Sequence, residues 1–402
     1  MKICGIVAEY NPFHAGHAYH CAETRRRLGA DTAIAAAMSG NFVQRGDFAI
    51  LEKYRRAAMA VQCGVDLVVE LPLAAALSSA EGFARGAVGV LDAMGCVTHL
   101  SFGSECGDLD GLRRAARCSR AAVRRHMDAG HSYAAAMQRA VVDEDPVAGT
   151  LLASPNNTLG IAYCAALDAA GSAIRPLTVR RAGAPHDSAQ FHARPSASFL
   201  RRAVLDGGLD ACRAGMPAAA YAVLAAELAR GGAPARAAAC SQAMLAHLRR
   251  LTPEALLRYA GGSDGLHHRL HAAIRDGTSF AGICQAAQTR RYPLARVRRA
   301  LLRAYLDVPA DDPVQPAYLR VLAIGPRGRA VLRAMRHSAR LPVIIKPVQE
   351  KRLPDALQAG LRRDALADDL YALAQPAEAL WAGGGHYRQS PFVWQGQAPT
   401  PV

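Results

Sequence analysis

Runs of apolar residues alternate with amphipathic stretches along the first 180 residues of the chain. Consecutive apolar residues are typical of strands buried on both faces, and the stretches between them carry apolar positions at helical spacing. Strands that alternate with helices build a parallel sheet with crossover helices, so the pattern predicts an α/β fold. The five predicted strands are KICGIVAEY, DTAIAAAMSG, DLVVELP, VTHLSFGSE and IRPLTVRRAG.

The pattern changes near residue 210. From there to residue 305, Ala, Leu and Arg recur at helical spacing, which predicts a mostly α-helical part. Two later segments, VLAIGPRGRAVLRAM and LPVIIKP, return briefly to turn and strand patterns, and the end of the chain is rich in Gly, Pro and Gln. We predict a parallel-sheet domain at 1–210, an α-rich domain at 211–382 and a flexible tail at 383–402.

Composition excludes several classes of protein. Hydrophobic residues make up 51% of the 402 residues and charged residues 20%, as in ordinary globular domains. No apolar run is long enough to predict a membrane span, and the first residues lack the pattern of an export signal. The ten cysteines form no C-x-x-C pair, so we expect reduced thiols, no protein-bound metal and a cytoplasmic location.

The formal net charge is +15, and arginine supplies almost all of the positive charge. The only lysines are Lys2, Lys53, Lys346 and Lys351. Excess positive charge favours a polyanionic partner, of which nucleic acid is the most common. A basic surface without such a partner is the alternative.

A polar stretch, EYNPFHAGH, leads from the first predicted strand into the first predicted helix. Amides at a helix start and the helix dipole both favour an anion, so this stretch predicts a phosphate site. His14 and His17 face the same side of the helix, where their imidazoles can stabilise charge on phosphate oxygens. Gly16 lacks a side chain, which leaves room for a base or ribose. The alternative is two surface histidines on a helix.

SASFLR, residues 196–201, places two serines at a predicted helix start and an arginine after them. By itself this is also the pattern of an ordinary Ser-capped helix. The stretch YNPFHAGH resembles the signature of the HxGH nucleotidyltransferase superfamily, and SASFLR resembles the second, phosphate-binding motif of that superfamily. That resemblance implies a Rossmann-like domain with a parallel sheet, in which Arg201 and the serines contact the β and γ phosphates.

The order of the motifs along the chain is more specific than any single motif. The series is GIVAEYNPFHAGHAYH, MSGNFVQRGD, DLVVELP, FGSE, SPNNTLGIAY, RRAGAPHDS, RRYPLARVRRALL and VLAIGPRG. It resembles the bacterial tRNA(Met) cytidine acetate ligase family over most of the chain. The resemblance implies that ATP activates acetate to acetyl-adenylate with release of pyrophosphate. The acetyl group would then pass to N4 of the wobble cytidine of elongator tRNA(Met), giving N4-acetylcytidine.

Attack of a carboxylate on the α-phosphate needs positioning and charge stabilisation rather than a protein nucleophile. The catalytic candidates are therefore His14, His17 and Arg201, with Mg²⁺ on the phosphates of ATP. Asn156 or Asn157 could read a base or ribose edge, although PNN is also a helix-cap sequence. The family resemblance places on ATP the residues Val7, Ala8, Glu9, Tyr10, Asn11, Pro12, Phe13, His14, Ala15, Gly16, His17, Ala18, Tyr19, His20, Gly103, Asn156, Asn157, Arg181, Ser196 and Ser198.

The stretch SGNFVQRGD is dense in polar side chains at the end of the second predicted strand. Ligands of parallel sheets bind at this edge. Asn41, Gln44 and Arg45 are therefore candidates for the acetate or cytidine pocket. A purely structural loop is the alternative.

The segment QTRRYPLARVRRALLRAYL carries six arginines around Tyr292. A helix here would place three of them on one face, with Leu and Val on the other. Such a helix can dock on a core and present cations to RNA phosphates, or it can simply have a solvated basic face. The tRNA candidates are Arg290, Arg291, Arg296, Arg299 and Arg303, of which the last three share the predicted face.

Two other functions are compatible with parts of this pattern. A small-molecule adenylyltransferase of the same superfamily would share His14 and His17, but the basic charge and the long α-rich part argue against it. A non-catalytic RNA-binding protein would not require the intact set of His14, Gly16 and His17.

Overall fold

The computed structural model describes residues 1–131, 133–181, 196–262 and 264–396. Eight of the strands in this part of the chain form one sheet, and two form a hairpin. The strands are β1 Ile3–Ala8, β2 Ala33–Ser39, β3 Phe42–Val43, β4 Asp47–Phe48, β5 Leu67–Leu71, β6 His99–Ser104, β7 Arg175–Arg180, β8 Leu319–Ile324, β9 Val343–Ile344 and β10 Phe392–Val393.

Helices cover both faces of this sheet and build most of the chain after β7. They are α1 Ala15–Leu28, α2 Lys53–Gln62, α3 Leu73–Ala76, α4 Ala80–Ala93, α5 Leu109–Ala116, α6 Arg120–Asp128, α7 Tyr133–Glu144, α8 Pro146–Thr150, α9 Pro155–Ala169, α10 Ala197–Leu205, α11 Asp210–Arg213, α12 Ala218–Ala229, α13 Ser241–Leu248, α14 Pro253–Ala260, α15 Leu266–Asp276, α16 Phe280–Ala287, α17 Leu294–Tyr305, α18 Gly328–Ser338, α19 Asp355–Ala372 and α20 Gly385–Arg388. Within the described ranges, no helix combines the length and the apolarity that a membrane span requires.

The large sheet has the strand order β10-β8-β5-β2-β1-β6-β7, with β9 beside β8. The five strands predicted from the sequence are β1, β2, β5, β6 and β7, and they pair in parallel. The α/β prediction is therefore confirmed. The sheet also continues into the C-terminal part of the chain, because β8 pairs antiparallel with β5 and β10 pairs with β8.

Alternate residues of β2 face opposite sides of the sheet, as the pleat of a strand requires. Ile34 and Met38 pack with helices α1, α2, α10 and α12 on one face. Ala35 and Ala37 pack with α4, α9 and α18 on the other face. Both sides of the central strands are thus covered, which explains why their sequences read as unbroken apolar runs.

Helices α13 to α17 form a separate hydrophobic cluster with the end of α19. The hairpin of β3 and β4 contributes Phe42 and Phe48 to this cluster, although it leaves the sheet directly after β2. The α-rich part is therefore fastened to the sheet by a segment of the N-terminal part. The predicted division at residue 210 stays a prediction.

The prediction of a flexible tail from residue 383 is wrong for residues 383–396. This segment forms α20 and β10, and His386 is only 2% exposed. The His386 Nδ1 atom lies 2.8 Å from the Oδ2 atom of Asp368. The buried Lys53 ammonium donates to the same oxygen at 2.7 Å. Buried charges require such partners, so the segment is held by its polar contacts despite its Gly-rich sequence.

Candidate functional site

The chain turns sharply between β1 and α1. Tyr10 adopts a left-handed backbone conformation with φ +46°, which is strained for a residue with a side chain. The buried rings of Tyr10 and Phe13 contact the His17 imidazole, with ring-centroid distances of 4.9 and 5.3 Å. The side chains of Tyr10 and Phe13, predicted to bind ATP, therefore support the imidazole from the core instead of lining the site.

His14 and His17 lie against each other at the start of α1. Their rings stack with centroids 3.7 Å apart and planes 25° apart. The Nδ1 atom of His14 accepts the backbone N–H of Gly16 at 3.0 Å, and the Nδ1 atom of His17 accepts the backbone N–H of His14 at 3.2 Å. The pair thus forms a capping box built from imidazoles.

The structure explains the glycine at position 16 differently from the prediction. A Cβ atom at this position would lie 2.9 Å from Cε1 of the His14 ring. The missing side chain therefore makes room for the His14 imidazole to cap the helix. Space for a base or ribose is not needed to explain this glycine.

The hydrogen bonds also define the tautomers of the two imidazoles. Because each Nδ1 accepts a backbone N–H, a neutral ring carries its proton on Nε2, the nitrogen that can donate to an anion. Burial and the neighbouring His14 and Arg181 hold the pKa of His17 well below its usual 6.5. At neutral pH, His17 is therefore an uncharged hydrogen-bond donor.

Arg201 joins the second predicted phosphate motif to the turn before α1. Its guanidinium donates to the backbone carbonyl of Asn11 at 2.9 Å and to the Ser198 hydroxyl at 3.0 Å. Ser196 caps α10 by accepting the backbone N–H of Phe199 at 3.1 Å. The structure therefore brings SASFLR and EYNPFHAGH together, although Asn11 and Arg201 lie 190 residues apart in sequence.

Arg56, which the sequence analysis did not single out, connects the ends of β1 and β2 beside this turn. Its fully buried guanidinium donates to the backbone carbonyls of Glu9, Ser39, Gly40 and Leu51. The sequence KYRRAAMAVQ contains two adjacent arginines, of which Arg56 is buried and Arg55 is exposed. They differ only in which face of helix α2 they occupy. The phase of the apolar positions could have revealed this residue.

Gly103 and Arg181 meet at the carboxyl ends of β6 and β7. The Arg181 backbone N–H donates to the Ser104 carbonyl at 2.9 Å. A Cβ atom on Gly103 would lie 3.3 Å from Cγ of Arg181, so the arginine side chain passes directly over the glycine. Their predicted nucleotide contacts stay predictions. The rest of the motif RRAGAPHDS lies outside the described residues.

The two asparagines of the PNN motif serve the loop after β6. The buried Asn157 accepts the backbone N–H groups of Glu105 and Cys106 on its Oδ1, at 3.0 and 3.2 Å. The Glu105 carboxylate accepts the backbone N–H of Asn157 and the side-chain amide of Asn156, at 2.9 and 2.6 Å. The Glu105 carboxylate therefore accepts an N–H of the first turn of α9, whose N-cap residue Ser154 makes no side-chain cap, and the Asn157 amide oxygen orders the loop after β6. Base recognition by Asn157 is not supported by this arrangement.

The predicted acetate or cytidine residues follow β2. Asn41 is buried, donates to the Asp368 carboxylate and accepts the backbone N–H of Lys53, both at 2.8 Å. These contacts favour the structural alternative that the sequence left open, and a role of Asn41 at the pocket stays a prediction. Gln44 is half-buried and Arg45 is exposed at the tip of the hairpin, so their predicted roles at the pocket stay predictions.

The arginines predicted to bind tRNA differ in exposure. Arg290 and Arg291 are exposed, whereas Arg296 forms an ion pair with Asp264 at 2.8 Å. Arg303 is only 8% exposed. Its guanidinium donates to the backbone carbonyls of Ala74, Leu77 and Ala310 and to the Ser78 hydroxyl. The prediction that Arg303 faces RNA is wrong, because the Arg303 side chain points from the last turn of α17 into the interior of the protein.

Metal ligation can be tested among the described residues. In those ranges, no three His, Cys, Asp or Glu side chains lie close enough together to hold a metal ion.

The chain is similar to known proteins over most of its length. The HIGH Nucleotidyl Transferase family model matches residues 1–381. A tRNA(Met) cytidine acetate ligase from Halothermothrix orenii is 32% identical, over 94% of this chain and 96% of that protein. The enzyme of the same name from Fervidobacterium nodosum is 33% identical, over 94% and 95%. The chain belongs to the tRNA(Met) cytidine acetate ligase family.

Solved structures support the family assignment. Thermotoga maritima TmcAL in its apo form superimposes with a TM-score of 0.93 at 29% identity, covering 98% of this chain and 100% of that one. The same protein bound with alpha-thio ATP superimposes with a TM-score of 0.91 over the same shares. A fold shared over the whole length includes both the sheet and the α-rich part, so the family resemblance seen in the motifs is confirmed.

Proposed function

We propose that this protein is an ATP-dependent tRNA(Met) cytidine acetate ligase, acting in the cytoplasm. The observation that carries the proposal is the paired Nε2–H donors of His14 and His17, joined through Asn11 to Arg201. This arrangement supplies hydrogen-bond donors for a triphosphate at a helix start. Nearly full-length relatives of the same name, and a TmcAL structure bound with alpha-thio ATP, support ATP as the nucleotide.

In the first step, a carboxylate oxygen of acetate attacks the α-phosphorus of ATP. A P–O bond to acetate forms, the bond to the β-phosphate bridging oxygen breaks, and pyrophosphate leaves. His14 and His17 donate from Nε2 to phosphate oxygens on which negative charge develops, and the N-terminus of α1 adds its dipole. Arg201 offsets the negative charge of the departing pyrophosphate, and the Ser198 hydroxyl donates a hydrogen bond to it. Mg²⁺ that enters with ATP also offsets this charge.

In the second step, N4 of the wobble cytidine attacks the acetyl carbonyl carbon. A C–N bond forms, the C–O bond to AMP breaks with its electron pair going to AMP, and the proton lost from N4 passes to water. Neither step needs a protein nucleophile. Glu9, Gly103, Asn156 and Arg181 complete the proposed nucleotide site, with Gln44 and Arg45 beside the acetate.

The α-rich part is proposed to hold elongator tRNA(Met). Residues 241–306 contain eleven arginines and only three carboxylates, which is a strong local excess of positive charge. Exposed guanidinium groups on this part can bind phosphates without reading sequence. The exposed arginines are Arg249, Arg250, Arg258, Arg269, Arg275, Arg290 and Arg291.

Exchange of labelled pyrophosphate into ATP tests the first step alone. The purified protein is incubated with MgATP, labelled pyrophosphate and acetate, formate or propionate. We expect exchange that depends on a carboxylate and is strongest with acetate. Exchange that depends instead on a phosphorylated small molecule would replace this proposal with a small-molecule adenylyltransferase. Binding of tRNA without any exchange would indicate a non-catalytic RNA-binding protein.

A further inference from the structure

The hairpin of β3 and β4 is anchored in the α-rich part. Phe42 and Phe48 face each other across the hairpin with ring centroids 4.8 Å apart, and both are almost fully buried. They belong to the same hydrophobic cluster as Val297 and Leu301 of α17. Movement of α17 would therefore move the hairpin with it, because closely packed interiors transmit displacement.

The tip of the hairpin rests directly on the backbone of α17. Gly46 has φ +76° and donates its N–H to Val43 at 2.9 Å, as in a three-residue hairpin loop closed by a left-handed glycine. A Cβ atom on Gly46 would lie only 2.6 Å from the backbone nitrogen of Arg299. The Arg299 guanidinium donates to the Gln44 carbonyl at 3.1 Å. No side chain fits between the loop and the helix at this point.

The opposite edge of the hairpin touches the nucleotide turn. The Gln44 backbone N–H donates to the Glu9 carboxylate at 2.7 Å. Glu9 immediately precedes the strained Tyr10, and its carbonyl accepts from the buried Arg56. Two consecutive hydrogen bonds, through the backbone of a single residue, therefore connect Arg299 to the start of EYNPFHAGH.

Positive charge accumulates at the helix side of this connection. Burial and the neighbouring Arg303 and Arg296 lower the pKa of Arg299 to about 10. A nearby anion stabilises a guanidinium that other positive charges surround. RNA phosphate is the anion that the surrounding excess of arginine favours.

We propose that RNA bound on the α-rich part is coupled to the adenylate site through the β3–β4 hairpin, with Arg299 as the positioning residue. This inference rests on the function proposed above and deepens it. Arg299 would not touch the reacting atoms. It sets the position of Gln44, and through Glu9 it aligns the acetyl-adenylate with the incoming cytidine. Misplacement by about 1 Å can cost a reaction up to two orders of magnitude in rate.

The test measures the two half-reactions separately in Arg299→Ala. Acetate-dependent pyrophosphate exchange reports the adenylate site without RNA, and acetyl transfer at saturating tRNA reports the coupled step. We expect the transfer kcat to fall at least about tenfold more than the rate of exchange. Gly46→Ala disturbs the same contact from the hairpin side and is expected to give the same split. Arg336→Ala, which removes an exposed arginine from α18, is the matched control and should change neither half-reaction.

Two outcomes would overturn the inference. If both half-reactions fall by the same factor in Arg299→Ala and Gly46→Ala, the contact only stabilises the fold. If the KM for tRNA rises while kcat for transfer stays unchanged, Arg299 is an ordinary phosphate contact. Absence of acetate-dependent exchange in the wild-type protein would instead refute the proposed function, so the two failures are distinguishable.

Discussion

The imidazoles of His14 and His17 stack 3.7 Å apart, and the Nδ1 atom of each accepts a backbone N–H at the start of α1. One nitrogen of each ring is therefore structural, and the other, Nε2, is the nitrogen that the proposed adenylation uses. The same two residues cap the helix and carry the donors that the proposed adenylation requires. Substitution by alanine would remove both roles at once, so a sharper choice of side chain is needed to separate them.

Asparagine separates these roles at His14. Its side-chain oxygen can occupy the place of Nδ1 and cap the helix, but it offers no group at the place of Nε2. We expect His14→Asn to lower the rate of pyrophosphate exchange by about 10²–10³-fold, the usual effect of losing one donor to a developing charge. The free energy of unfolding, measured in urea, should change by less than about 1 kcal/mol.

His14→Ala is the companion variant. It should show the same loss of exchange and, in addition, a loss of about 1 kcal/mol of stability from the missing cap. An active His14→Asn protein would show that the Nε2 donor of this residue is not used in catalysis.

Acid should destabilise the protein through His20. Burial and the charges of Arg181 and Arg27 lower the pKa of His20 from 6.5 to about 4. Between these values the unfolded chain binds a proton that the folded protein does not, so stability falls as pH decreases from 6.5 towards 4. His20→Gln keeps an amide near the Ser101 hydroxyl, which lies 2.9 Å from Nε2, but removes the titration.

The wild type should therefore lose about 1.4 kcal/mol relative to His20→Gln when the pH is lowered from 7.5 to 5.5. Urea unfolding of both proteins at the two pH values measures this difference, and all other titrating groups cancel. A stability difference that does not vary with pH would contradict the proposed burial of a neutral His20.

Arginines of the same segment should differ in what their removal does. Replacing the exposed Arg290 and Arg291 by alanine should weaken tRNA binding and reduce its salt dependence by about one or two phosphate contacts. Stability should change little. Arg303→Ala should instead lose about 2 kcal/mol or more, because several buried carbonyls lose their donor.

Titration of tRNA at several salt concentrations, together with urea unfolding, distinguishes the two classes of arginine. If Arg303→Ala is as stable as wild type but binds tRNA poorly, the helix phase described for α17 is wrong.

The C-terminal segment should contribute to global stability. His386 lies between the carboxylates of Asp368 and Glu350, at 2.8 and 3.4 Å, and is buried. His386→Ala leaves these charges without one partner and should lower the free energy of unfolding by about 3 kcal/mol. The only tryptophans, Trp381 and Trp394, flank this residue, so their fluorescence reports the transition directly. A truly flexible tail would tolerate the substitution without any change in stability.

The sheet was predictable because β1, β2 and β5 are buried on both faces and therefore read as apolar runs. The turn motif was predictable because His14, Gly16 and His17 lie within four consecutive residues. Arg303 was misjudged for a specific reason. Helical periodicity places it on the face of Arg296 and Arg299, but α17 packs against α3, and carbonyls there accept the guanidinium.

The remaining contacts are long-range and leave no local pattern. Lys53 and Asp368 are 315 residues apart, and nothing near either residue identifies its partner. The same is true of Arg299 and Gln44, which are 255 residues apart. The Gly-rich composition of 383–396 correctly indicated that much of this segment is irregular. It could not reveal that the His386 side chain is buried between the carboxylates of Asp368 and Glu350.

Transfer of labelled acetate to RNA tests the proposed activity most directly. The protein is incubated with MgATP, ¹⁴C-acetate and an unmodified elongator tRNA(Met) transcript, and the RNA is digested to nucleosides. We expect ATP-dependent label on N4-acetylcytidine, lost with His14→Asn and with a transcript whose wobble cytidine is replaced by uridine. Label that is absent from the RNA, with no acetyl-AMP formed, would contradict the assignment of this protein as an acetate–tRNA ligase.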